Sequence, residues 1–178
     1  LILKTYITES KVGTKSRELL LSKINKIKKS INHYGKSIDF KCNVILIDSI
    51  LTKEQINSIY KASDAYVTCT KGEGFGLPIA EFLMQNNKPV VVPDKGGHLD
   101  FCSNSNLFIR SEYEPCGVSH HPHYSEIEMK SIQVSPTSAQ EKMRQAVEIN
   151  KTIDFSSKCV DYLNEDRIIK LFKEALEI

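Results

Sequence analysis

The chain has 178 residues, 40% apolar and 26% charged, the make-up of an ordinary globular domain long enough to bury a core. Its net charge of +2 is too small to argue for nucleic acid as a partner. Five widely spaced cysteines, an odd number, exclude a disulfide framework as the first reading and point to reduced thiols in the cytoplasm. No stretch reads as a signal peptide or a membrane span. The chain opens without methionine, directly in an apolar run, and is expected to be a piece of a longer protein.

Leu1 to Ile7 alternates enough to be a strand, and Thr8 to Ser16, with Gly13, reads as a loop. Arg17 to His33 carries Leu20, Ile24, Ile27 and Ile31 at helical spacing, with Gly35 as its stop. Basic residues crowd this first part of the chain: Lys4, Lys11, Lys15, Arg17, Lys23, Lys26, Lys28, Lys29, Lys36 and Lys41 face only Glu9, Glu18 and Asp39. The simplest reading is a solvated helix face; the alternative is peripheral contact with an anionic membrane or an acceptor. Cys42 to Ile47 is an apolar run expected to be a strand buried on both faces, and Thr52 with Gln55 has the spacing of a capping box for a helix to Ala62.

Ala65 to Thr70 reads as a third strand, followed by Lys71-Gly72-Glu73-Gly74-Phe75-Gly76-Leu77-Pro78. Pro78 suits the first position of a helix running to about Asn86, because its missing N–H costs nothing there. Three glycines in five residues let the backbone bend tightly and approach a bound group, and the free N–H groups of the helix start favour phosphate. Glu73 and Glu81 flank this turn. Each alone is a loop charge or a first-turn residue; beside an anion site, both make sense as partners of sugar hydroxyls.

Pro89 to Pro93 is a fourth strand and Asn106 to Arg110 a short fifth. Ser111 to Ser135 is less regular, a hairpin-like excursion or a loop. Its Cys116, His120, His121 and His123 fit no zinc spacing well, so no metal site is assigned. Pro136 opens a helix to about Asn150, and Ser156 to Leu163 and Asn164 to Ile178 read as two terminal helices, the second capped by Asn164. Strands alternating with helices imply an α/β fold with a mostly parallel sheet. Asp48-Ser49, Thr70-Lys71 and Asp94-Lys95-Gly96-Gly97 fall at strand carboxyl ends, where such sheets bind ligands.

Glu73-Gly74-Phe75-Gly76-Leu77-Pro78-Ile79-Ala80-Glu81, then Asn86-Asn87-Lys88-Pro89-Val90-Val91-Val92-Pro93-Asp94-Lys95-Gly96-Gly97, resembles the donor-binding core of GT-B glycosyltransferases of the large retaining "glycosyl transferases group 1" family. Glu73 and Glu81 have that family's E-x7-E spacing, and Ile56 to Val67 resembles its helix-to-strand run. The resemblance covers residues 40 to 110 well and the flanks weakly.

It implies a Rossmann-like, doubly wound C-terminal half of a GT-B fold, with 1–155 as the donor-binding domain lacking its first strand and 156–178 as helices of the same domain. It implies retaining, metal-independent transfer of a hexose from a nucleoside diphosphate sugar, of UDP or GDP type, to a glycan or lipid-linked acceptor. By that likeness the amides of Gly74, Phe75, Gly76 and Leu77 hold the diphosphate and Glu81 accepts the ribose hydroxyls. Glu73 is the catalytic-site acid that holds hydroxyls of the donor sugar, and the backbone at Ile47, Asp48 and Ser49 faces the base. Phe75 is expected to pack the turn, and His98 and Asp100 to be polar loop residues, Asp100 bracing the loop.

The family's Gly-Arg…Lys-Gly pattern, which neutralises the diphosphate, is not found. The basic pair and an acceptor domain are therefore expected outside this sequence, and the chain alone is expected to bind donor weakly and catalyse nothing. The implied setting is glycan building in the cytoplasm, at the inner face of a membrane, with no separate cofactor. A dinucleotide oxidoreductase needs a glycine where Leu77 stands, and a P-loop needs a Lys followed by Ser or Thr after Gly76. A non-catalytic nucleotide-sugar-binding or interaction module of the same fold is the alternative.

Overall fold

The structure, a computed structural model, describes residues 1–4, 14–31, 44–115, 130–149 and 153–176, with backbone alone at 14–16 and 29–31. The chain divides into two compact units, Leu1–Lys53 and Glu54–Ile178. In the first, strands β1 (Ile2–Lys4) and β2 (Ile45–Ile47) pair in parallel, Ile2 opposite Ile45 and Lys4 opposite Ile47. Helix α1 (Thr14–Ile31) joins them along the chain, half-burying Leu20 and Ile24, two of its periodic apolar positions. Arg17 on α1 donates to Asp48, just past β2, at 3.0 Å. Residues 5–13, the expected helix stop at Gly35, and Cys42 lie outside the described residues.

The second unit begins within α2 (Lys53–Ala62), at Glu54, and continues through β3 (Tyr66–Val67), α3 (Leu77–Gln85) and β4 (Val90–Pro93). A 3-10 turn at Gly97–Asp100 leads to β5 (Leu107–Ile109). Strands β6 (Ser111–Pro115) and β7 (Lys130–Val134) follow, then α4 (Pro136–Glu148), α5 (Ser157–Tyr162) and α6 (Glu165–Leu176). Strands β3, β4 and β5 form one parallel sheet with β4 at its centre, Tyr66 facing Val90 and Val92 facing Phe108. Strands β6 and β7 are antiparallel, Tyr113 opposite Ile132. The fold is thus mixed α/β with small, mostly parallel sheets. The expected parallel strands hydrogen-bond in two separate ladders among the described residues, one in each unit.

The core is built on β4, whose four residues are all buried. Successive strand side chains point to opposite faces. Val90 and Val92 accordingly join Ile79, Phe82 and Leu83 of α3, Phe101, and Cys159 of α5 in one cluster, while Val91 joins Ile109 and Ala139 of α4 in another. The 155/156 boundary falls inside the first cluster, since Phe155 and Cys159 both belong to it. Burial pushes the Cys102 thiol up to about 12 and the Cys159 thiol to about 11, so both are neutral apolar filling at neutral pH.

Asn106 stitches the sheet to the tail. Its side chain accepts from the Val90 amide at 3.2 Å and donates to the Phe155 carbonyl at 3.2 Å. Asn87 does the same from the far end of α3, accepting from the Phe155 amide at 2.7 Å and donating to the Ile153 carbonyl at 3.2 Å. The expected Asn164 cap is present, accepting from the Arg167 amide at 3.2 Å, and Ser135, just before Pro136, adds a cap by accepting from the Ser138 amide at 3.3 Å. The region 111–135 is hairpin-like at its described ends; Cys116, His120, His121 and His123 lie outside the described residues. Among the described residues no helix is long and apolar enough to cross a membrane, and no three His, Cys, Asp or Glu side chains are grouped to hold a metal ion.

Candidate functional site

Parallel strands end on one side, so the turn after β3 and the turn after β4 lie at the same edge of the central sheet. The first is the glycine-rich stretch. Thr70 shapes its entry, its hydroxyl donating to the Gly72 carbonyl at 2.8 Å. Its exit is Gly76, at φ 94° and ψ 49°, a left-handed conformation that disfavours every side chain. Gly76 is the N-cap of α3 and offers no side-chain oxygen, so its carbonyl meets only the amides of Ile79 and Ala80, at 2.9 and 3.0 Å. Leu77 therefore takes the first helical position expected for Pro78, and Pro78 the second. The amides of Gly74, Phe75, Gly76 and Leu77 have no acceptor among the described residues. Four donors left open at a helix start, with the dipole of α3 behind them, form an anion cradle.

The three glycines of the turn differ in what they permit. At Gly72 and Gly74 an added Cβ would meet nothing within 4 Å, and neither has a positive φ. Only Gly76 is a glycine for the backbone's own sake. At Gly74 the chain itself gives no reason for the absence of a side chain, which is the condition for close approach by something else.

The second turn holds the first in place. The Gly97 amide donates to the Glu73 carbonyl at 3.1 Å, and a Cβ on Gly97 would sit 1.8 Å from the Gly74 carbonyl oxygen. Gly96, at φ 123°, lies over the ring of His98. His98 is wholly buried rather than a loop polar residue. Its Nε2 is 2.8 Å from the Pro93 carbonyl, which can only accept, so Nε2 carries the hydrogen and Nδ1 is left without a partner among the described residues. Its Cβ also lies 3.2 Å from the place of a Gly76 Cβ, so one imidazole wedges both turns. Phe75 packs the turn as expected, its ring 5.0 Å from that of Phe101. Asp100 is exposed.

Of the two acids, Glu73 is the one placed at the cradle. The half-buried Glu73 has its Cγ 3.5 Å from where a Gly76 Cβ would stand, so its side chain lies over the helix start. Glu81 is exposed. Tyr66 on β3 feels both acids: burial first, then the charges of Glu73 and Glu81, push its phenol up. Tyr60 on α2 is pushed up to about 12, by burial and then by Tyr66 and the Glu81 carboxylate. Both tyrosines pack their rings on Phe82, with centroids 5.6 and 5.7 Å away. Sequence reasoning misses this aromatic wall; its one signal is two tyrosines in the helix-to-strand run before the turn. Ile47, Asp48 and Ser49 belong to the first unit, where Asp48 meets Arg17.

A second group sits where β4 ends. Ser111 donates to Asp94, and Lys95 donates to Asp94 at 3.3 Å and to the Ser111 carbonyl. Burial opposes ionisation of Asp94, but the Ser111 and Lys95 hydrogen bonds and the Lys95 charge outweigh it and hold the carboxyl below the usual range. Lys95 is thereby committed to the fold and is no free counter-ion. Farther along, the Ile132 amide of β7 donates to the Lys71 carbonyl at 2.6 Å, tying the hairpin to the start of the glycine-rich turn.

Comparison with protein-family models, with curated proteins and with solved structures finds no match for this chain.

Gly97→Ala is expected to destabilise the second unit by about 2–3 kcal/mol, because backbone must move to admit the methyl, whereas Gly74→Ala stays within about 0.5 kcal/mol of the parent. Urea midpoints compare the two. Asp94 has a folded pKa below its unfolded value, so its contribution is present above the unfolded carboxylate range near 4 and is lost as pH falls through the folded value. Asp94→Asn should therefore be less stable than the parent at pH 7, with the gap closing below about pH 4; thermal melts across pH 2.5–7 read this.

Proposed function

We propose that this chain is the donor-binding portion of a retaining glycosyltransferase, taking a nucleoside diphosphate sugar of UDP or GDP type. The observation that carries the reading is the cradle of unpartnered amides from Gly74 to Leu77, with the side chain of Glu73 over the helix start and Glu81 in the first turns of the helix. A carboxylate beside an anion site is unfavourable by itself. It becomes favourable when the anion arrives carrying hydroxyl groups on both sides, as a diphosphate between a ribose and a sugar does. The division of β4 side chains between a cluster with α3 and α5 and a cluster with α4 supports helices on both faces of the sheet, hence a Rossmann-like, doubly wound domain of GT-B type.

In this reading the diphosphate lies on the amides of Gly74, Phe75, Gly76 and Leu77, Glu81 accepts from the ribose and Glu73 from the sugar. The bond between the anomeric carbon and the diphosphate oxygen breaks, and its electron pair goes to the phosphate. The acceptor hydroxyl oxygen forms the new bond to the anomeric carbon on the same face of the sugar and passes its proton to the leaving phosphate oxygen. Negative charge grows on the leaving oxygen while the amides stay fixed, so they stabilise the transition state more than the bound donor. One such donor is worth about 2.7–4 kcal/mol in comparable oxyanion sites. The acceptor, a glycan or lipid-linked sugar, and the cations that complete diphosphate neutralisation come from outside this chain, in cytoplasm at a membrane face. The chain alone then binds donor weakly and transfers nothing.

Calorimetry with UDP, GDP and their sugars tests this. The parent should bind one nucleoside diphosphate series. Glu81→Ala should weaken it by about tenfold or more, the worth of a charge-assisted hydrogen bond. Gly74→Ala, which the fold tolerates, should weaken it as well. A folded parent that binds none of these ligands, or a Glu81→Ala variant that binds like the parent, would contradict the proposal.

A further inference from the structure

The hairpin of β6 and β7 stands beside the cradle for reasons that are built into the sheet. Strands β3, β4 and β5 lie side by side and parallel, so three connections leave one edge in order. The glycine-rich turn follows β3, the Asp94–Gly97 turn follows β4, and the hairpin follows β5. The hairpin is then pinned back at both strands. On β6, Ser111 holds Asp94 through its hydroxyl and Lys95 through its carbonyl. On β7, the Ile132 amide holds the Lys71 carbonyl. Each pin lands on a segment that flanks the anion cradle.

Directly opposite Ile132 is Tyr113. This aromatic residue is 56% exposed, although it sits on a ribbon tied down on either side of it. Lys95 lies over its ring, with Nζ 5.7 Å from the centroid. The contact links the ring to the residue before Gly96. Tyr113, Lys95, Gly96–Gly97 and the backbone of Glu73 thus form one continuous run, from the hairpin to the residue proposed to meet the sugar. A tyrosine ring has only two side-chain torsions to order, so it loses little conformational entropy when something stacks on it.

Resting on the donor-binding reading above, we infer that Tyr113 is a stacking platform for the sugar ring of the donor, and that the β6–β7 hairpin is the wall of the sugar end of the site. Direction decides between the two ends of the ligand. Glu81, with Tyr60 of α2 beside it, marks the α2 side, where the ribose belongs. The hairpin is joined through Lys95 and the Gly97 amide to the backbone of Glu73, the residue proposed to meet the sugar, so the sugar end is the one that reaches it. A pyranose presents C–H bonds on its ring faces and hydroxyls at its rim. Its face suits an aromatic ring, and its rim suits the carboxylate of Glu73.

The test is calorimetry on the chain with UDP and UDP-glucose and with GDP and GDP-mannose, comparing the parent, Tyr113→Ala and Tyr113→Phe, with circular dichroism to confirm that each variant is folded. The expected result is that Tyr113→Ala weakens the sugar nucleotide about tenfold while leaving its parent diphosphate unchanged, and that Tyr113→Phe restores the sugar nucleotide. If the parent binds the sugar nucleotide and Tyr113→Ala binds it equally well, or loses diphosphate and sugar nucleotide alike, the platform is disproved and the donor-binding reading stands. If the parent binds neither class of ligand, the donor-binding reading falls and this inference falls with it.

Discussion

Two backbone turns press on each other with no side chain between them. The Gly97 amide reaches the Glu73 carbonyl, and a methyl group at Gly97 would overlap the Gly74 carbonyl oxygen. That contact fixes the loop from Glu73 to Gly76, and with it the aim of four amides that nothing else in the described chain accepts from. The wedge beneath it is His98, buried, hydrogen-bonded to the end of β4, and shaped to leave room for Gly76 and Gly96 alone. A loop with free donors would ordinarily collapse to satisfy itself or be lost to solvent motion. Here it is held open by a rigid neighbour, and holding donors open is what anion recognition requires.

Around that contact the molecule is arranged in order across the sheet. The cradle follows β3, with the tyrosine pair packed on Phe82; the Asp94–Lys95 turn follows β4; and the hairpin follows β5 and reaches back to the Lys71 carbonyl. The charge of Lys95 is directed to Asp94 and the hairpin rather than to a ligand. A cradle built of amides and dipoles offers partial charges only. The proposal therefore requires cations from elsewhere for full donor affinity.

Much of this was legible in the residues. The runs expected as strands at Cys42–Ile47, Ala65–Thr70, Pro89–Pro93 and Asn106–Arg110 hold the strands Ile45–Ile47, Tyr66–Val67, Val90–Pro93 and Leu107–Ile109, because β-branched residues between turn signals have few other options. Pro136 and Asn164 marked helix starts through chemistry that acts locally. The Gly-rich turn announced itself by composition. Spacing could not show how the glycines divide their roles. Gly76 serves the backbone, Gly97 serves the neighbouring turn, and Gly74 serves neither. That depends on contacts between segments more than twenty residues apart, as the Gly97–Glu73 pair is. The burial of His98 and the return of β7 to Lys71 are long-range for the same reason. The division of the parallel strands between two units was likewise invisible, since strand patterning specifies that a strand pairs but not with which partner.

The central claim is that the amides from Gly74 to Leu77 receive a diphosphate. Backbone amide resonances followed by NMR during titration with UDP and with GDP test it most directly. The account predicts that one of the two nucleotides shifts the amide signals of Gly74, Phe75, Gly76 and Leu77 most strongly, and that Gly97, whose amide is engaged with Glu73, moves less. Titration to saturating nucleotide with those four signals unmoved, or with the largest shifts far from this turn, would contradict it.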